Sequence, residues 1–248
     1  MGCGDSKTPL TAEEAAITAQ ECALGLTKLP VAFVCTTVSK YSRNDLISDS
    51  QLMRILQRLF PEKEKLEDFK RRYFDRNILR AELEDFARAK ILSLCVLLSL
   101  GSNEDKVTEL FYLLDVACEH RVSREQVQTS VTTLVQLSVN YGPQLVSDPS
   151  PKLAAYQLEL ERKADSVSTA VVGYIMGALE SMSLSQLVVK FNSGTLSRFL
   201  SPQGIRRILK EFSIALEPEV KSTKRVSPAL PSALRASNRL VAQAGSFE

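Results

Sequence analysis

The chain has 248 residues, of which 44% are hydrophobic and 24% charged, and a formal net charge of +2. That length and balance describe a globular chain of one large or two small domains and set aside a disordered one. With no tryptophan, and with its phenylalanines and tyrosines outside any basic–aromatic stripe, the sequence argues against nucleic acid as a partner.

The first residues read MGCGDSK. Gly2 and Ser6 fit the M-G-x-x-x-[ST] pattern for N-myristoylation, and Cys3 stands where a palmitoyl group would be added. One myristoyl chain gives only reversible attachment, so a second anchor is required. Asp5 nearly cancels Lys7 and no basic cluster comes after them, which leaves Cys3 to supply it. Residues 1–20 are therefore expected to be an acylated segment that places the chain on the cytoplasmic face of a membrane, plasma or flagellar/ciliary. The five cysteines are scattered without a C-x-x-C pair, as suits a reducing compartment. His120 is the only histidine, so neither a zinc site nor a His-activated nucleophile is expected. The reading is of a protein that is not an enzyme and has no cofactor.

Most of the chain shows the period of amphipathic helices. Leu52, Ile55, Leu56, Leu59 and Phe60 mark one such helix, ended by Pro61, and Leu66, Phe69, Tyr73 and Phe74 mark the next. The apolar run ILSLCVLLSL at 91–100 has half the length of a membrane span and reads as a buried helix. Val107, Leu110, Phe111 and Leu114 predict another helix, as do Val127, Val131, Leu134 and Val135, and two more fit 167–179 and 204–216. The Pro-, Ser- and Asp-rich stretch at 140–151 predicts a linker between a lobe over 21–139 and a C-terminal helical lobe over 152–216. Residues 217–248, with Pro218, Pro228 and Pro231 among Ser, Lys and Arg, predict a flexible basic tail. The fold class is all-α.

One pattern recurs where helices meet: an apolar residue, three intervening positions, a polar residue and another apolar one. ISDSQL gives Ile47, Gln51 and Leu52; AELEDF gives Ala81, Asp85 and Phe86; VSREQV gives Val122, Gln126 and Val127; MSLSQL gives Met182, Gln186 and Leu187. The pattern is similar to the second half of an EF-hand. Through LMRILQRLFP, DFKRRYFDRNILRAELEDFARAK and NEDKVTELFYLLDVACEHRVSREQV, the chain resembles the neuronal calcium sensor and calcineurin-B-like family over about residues 22–199. Its acylated start resembles that of the calflagins. The resemblance implies a two-lobed array of paired EF-hand-like helix–loop–helix units, four hands in all, in which the apolar residue at the eighth loop position joins a short strand between paired loops.

The ligands depart from that family. A working loop offers oxygens at its first, third, fifth and twelfth positions, with glycine at the sixth and a bidentate Glu at the twelfth. The third joint has Asp115 first and Glu119 fifth, but Ala117 third, His120 sixth and Gln126 twelfth. Asp115, Glu119 and Gln126 are thus the candidates for a residual calcium loop. Lys40 would stand first in the first joint; the second reads as one residue short, with Ile78 and Leu79 in ligand places; the fourth offers Met176, Gly177, Ala178 and Leu179. Ca²⁺ is disfavoured and no other metal is expected. The expected function is a membrane-anchored, non-catalytic adaptor or regulatory protein that binds a partner without calcium; the alternative is a weak sensor of the calcium-myristoyl type. The resemblance implies an amphipathic helix as the partner, in a groove lined by Phe60, Phe69, Phe74, Phe111 and Leu114.

Overall fold

A computed structural model describes residues 10–42, 45–81 and 85–215, with side chains through 212. The described helices are α1 (Ala12–Ala23), α2 (Val31–Tyr41), α3 (Asp49–Leu59), α4 (Leu66–Tyr73), α5 (Arg88–Leu98), α6 (Asn103–Leu114), α7 (Arg124–Gln144), α8 (Pro151–Met176), α9 (Leu184–Phe191) and α10 (Pro202–Ala215); α1, α2 and α9 are additional to the helices read from the periodic stretches. The fold is all-α. The described strands are four two-residue pieces: β1 (Leu46–Ile47), β2 (Phe86–Ala87), β3 (Val122–Ser123) and β4 (Ser181–Met182).

These strands organise the helices. β1 pairs antiparallel with β2, setting Ile47 opposite Phe86, and β3 pairs with β4, setting Val122 opposite Met182. All four of these facing residues are buried. Each strand leads directly into a helix, and the residue after the buried strand residue is that helix's N-cap: Ser48, Ala87, Ser123 or Ser183. Three of these starts are capping boxes, in which the serine side chain takes the N–H of a glutamine three residues on and that glutamine returns to the serine's own N–H. Ala87 has no side chain for the purpose.

Several boundaries differ from those expected. α1 begins at Ala12, inside the expected 1–20 segment, because Ile17 is buried in the core, and α8 begins at Pro151, well before residue 167. The sequence pattern frames the second joint on Ala81, Asp85 and Phe86, but Phe86 itself is the strand residue, in the place that Ile47, Val122 and Met182 hold elsewhere. A phenylalanine offers the apolar surface that a buried pairing with Ile47 needs, and Ala81 does not. The segment 74–85 between α4 and β2 is consequently longer than 115–121 between α6 and β3, not shorter. It contains a 3-10 turn at Asn77–Leu79, and Arg80 bridges back to Phe86. The linker expected over 140–151 also contracts. α7 continues to Gln144, α8 starts at Pro151, and the two helices lie against each other. The passage from one strand pair to the other is at 99–102, and the described residues belong to one compact unit. The tail expected from residue 217 lies outside the described residues.

Helix α5 forms the centre. Every residue from Ile91 to Leu98 is buried, and α5 packs against α2, α6 and α7. An apolar run with no polar face is what a helix surrounded by others requires. Its thiol Cys95 is pushed up to about 12 by burial. Cys35 on α2 is likewise raised by burial, reinforced by Cys95 and Glu109. Both are packing residues rather than nucleophiles.

Candidate functional site

The loop from Asp115 to Gln126 holds all three residues predicted for a residual cation site. Asp115 is buried, and its carboxylate accepts the backbone N–H of Glu119 at 2.8 Å and of His120 at 2.9 Å. These bonds support a sharp turn in which Cys118 and His120 both adopt left-handed backbone, with φ of 55° and 57°. A side chain there costs roughly 1–2 kcal/mol, and two charge-assisted bonds to Asp115 offset it. The turn falls at the position where a cation loop carries glycine.

Gln126 closes the same loop from the other end. Its Oε1 accepts the N–H of Ser123 at 2.7 Å and its Nε2 donates to the carbonyl of Leu114 at 2.8 Å. The amide thus ties the end of α6 to the start of α7. A glutamate could not donate to that carbonyl. Glu119 is exposed, and Ala117 brings no side-chain oxygen. With one inward carboxylate and a neutral amide whose oxygen already has a donor, the loop does not match the six to eight oxygens that Ca²⁺ takes. Among the described residues no group of three or more His, Cys, Asp or Glu side chains is arranged to hold a metal ion. Gln51 and Gln186 accept the N–H of Ser48 at 2.8 Å and of Ser183 at 2.9 Å. Where the sequence suggests missing ligands, the structure has helix caps.

The five residues expected to line a groove are not brought together in one. Phe69, Phe74 and Phe111 are buried, while Phe60 and Leu114 are partly buried against the core. Phe60 and Phe69 meet edge to face at 4.9 Å, and Phe74 lies 6.2 Å from Phe69, in one aromatic cluster at the ends of α3 and α4. Phe111 and Leu114 are on α6, which packs on α9, α2 and α5. Their apolar surface goes to the protein's own core. The lipidation residues Gly2 and Cys3 lie outside the described residues. None of the described helices is long and apolar enough to cross a membrane.

A different constellation, with no counterpart among the sequence motifs, joins the two ends of the described chain. Arg206 on α10 is fully buried between two carboxylates of α1. Its Nε and Nη2 donate to Glu14 Oε1 at 3.0 and 2.8 Å, while Nη1 and Nη2 donate to the two oxygens of Glu21 at 2.7 and 3.0 Å. Nη1 also donates to the carbonyl of Ser138 on α7 at 2.9 Å. From α8, the Tyr156 hydroxyl donates to Glu14 Oε2 at 2.6 Å. Burial lifts the Glu21 carboxyl above the usual range against the pull of Arg206. Arg206 remains protonated: burial works against its charge, and Glu21 and Glu14 outweigh that. A buried cluster of this kind adds little net stability over apolar packing, but removing one partner leaves a buried charge uncompensated. The planar, five-donor guanidinium suits two carboxylates and a carbonyl at once, where a lysine ammonium would have only three donors.

Lys106 on α6 is a second buried cation. Its ammonium donates to the carbonyls of Leu97, at 3.0 Å, and Leu200, at 2.9 Å, and burial pushes it down to about 8. It joins the end of α5 to the turn before α10. No protein-family model matches the chain, and no curated protein matches it in sequence.

Proposed function

We propose that the chain is a membrane-anchored, non-catalytic adaptor or regulatory protein built on EF-hand-like helix–loop–helix pairs, whose partner binding does not depend on calcium. The observation that carries the reading is the 115–126 loop. Asp115 and Gln126 hold its two ends by hydrogen bonds internal to the chain, so the loop keeps its shape without a cation. The strand pairs Ile47–Phe86 and Val122–Met182 support the pairing of hands, and the MGCGDS start supports an acyl anchor. A protein with two acyl chains and a cation-independent body would stay at one membrane and present one surface there.

The weak calcium sensor is retained as a second reading on one observation: Asp115 and the left-handed turn at His120 preserve the start of a cation loop. Liposome co-sedimentation of acylated protein, in calcium and in chelator, separates the two. The adaptor sediments equally in both. Sedimentation that appears only with calcium supports the sensor and overturns the adaptor.

A further inference from the structure

We propose that the channel filled by α1 is a docking groove for an acidic amphipathic helix, and that α1 is its occupant in cis. Glu14, Ile17 and Glu21 are the buried residues of α1, and its cap Leu24 is buried after them. They form one face, spaced three, four and three residues apart, and five of the other residues of the helix are exposed alanines. The groove is shaped for that face. Arg206 offers paired forks to two carboxylates one heptad apart, and Tyr156 adds a hydroxyl donor. Gly142 on α7 removes the side chain that would stand in the way: a Cβ there would lie 2.5 Å from Ile17 Cγ2 and 2.6 Å from Glu21 Oε1.

Charge, more than apolar area, therefore selects the occupant. The partner that fits is a helix of the pattern Glu-x-x-aliphatic-x-x-x-Glu, able to take the place of α1 by satisfying Arg206 in the same way. Ile17, Leu24 and the ion pairs to Arg206 hold α1 in place, so a competing helix must bring the same two carboxylates, since without them Arg206 would be left a buried, unpaired cation. The inference rests on the partner-binding reading and moves the recognition surface away from the phenylalanines of the core.

The test uses the full chain and a fluorescein-labelled peptide of residues 11–25. In a Glu14→Gln/Glu21→Gln variant the cis helix is weakened, and the labelled wild-type peptide binds roughly tenfold tighter than it binds the unaltered chain. A peptide carrying the same two glutamines binds neither. In Gly142→Ala, α1 amides exchange with deuterium about tenfold faster while α5 stays protected, because the new methyl displaces the helix and not the core. Equal binding of the two peptides, or unchanged α1 protection in both variants, overturns the proposal. Those failures leave calcium-independent membrane sedimentation unaffected, so they are distinguishable from failure of the adaptor reading.

Discussion

Substituting Lys106 by methionine removes a buried charge and leaves the carbonyls of Leu97 and Leu200 without their donor. The effect depends on pH in a direction fixed by the shift. The ammonium titrates near 8 in the folded chain against an ordinary value of 10.5. Between those values the unfolded chain holds a proton that the folded chain has released, so stability contributed at this site rises with pH. Below about 8 the folded chain bears the full cost of a buried ammonium. From pH 7 to pH 10 the relief is roughly 2–3 kcal/mol. Cys95 and the buried tyrosines act oppositely, because their folded values are raised and stability is lost as alkali ionises them in the unfolded chain. They are common to both proteins and cancel in the difference. Urea unfolding of wild type and Lys106→Met at the two pH values measures it: the destabilisation caused by methionine should be larger at pH 10 by about that amount. A difference that does not change with pH would refute the buried, proton-releasing lysine.

Three further outcomes rest on named residues. Phe86→Ala removes the fully buried partner of Ile47 and should cost about 3–5 kcal/mol, read as a lowered urea midpoint with unchanged slope. Gln126→Leu breaks both closures of the 115–126 loop and should cost about 1–3 kcal/mol; an unchanged thermal midpoint would mean that those bonds do not hold it. Gly2→Ala should move the protein from the membrane to the soluble fraction on cell fractionation, and Cys3→Ser should leave it loosely and reversibly bound.

Seven of the ten described helices are legible in the sequence because their apolar residues repeat every three or four positions; α1 is not, because two of the three residues it buries are glutamates. Ile47, Val122 and Met182 can be picked out as strand residues for a similar reason, each preceding a Ser-x-x-Gln helix start. The second joint is harder to frame because Ala87 stands where the others have serine. No capping box marks its start, and Asp85 draws the pattern five residues too early. The glutamines resemble failed ligands in sequence, whereas each is the third residue of a helix whose side chain returns to its own cap. The Arg206 cluster has no local signal at all. Its partners lie 185 and 192 residues away in sequence, and one buried arginine looks like any other charge on an amphipathic helix until the ends of the chain are brought together.

The central claim is that the chain is set in its binding conformation without a cation. Calorimetric titration of acylated full-length protein with CaCl₂ at physiological ionic strength tests it most directly. The account predicts no saturating heat, with or without the acyl groups. Saturation at micromolar Ca²⁺, abolished by Asp115→Ala, would contradict it and make the protein a sensor.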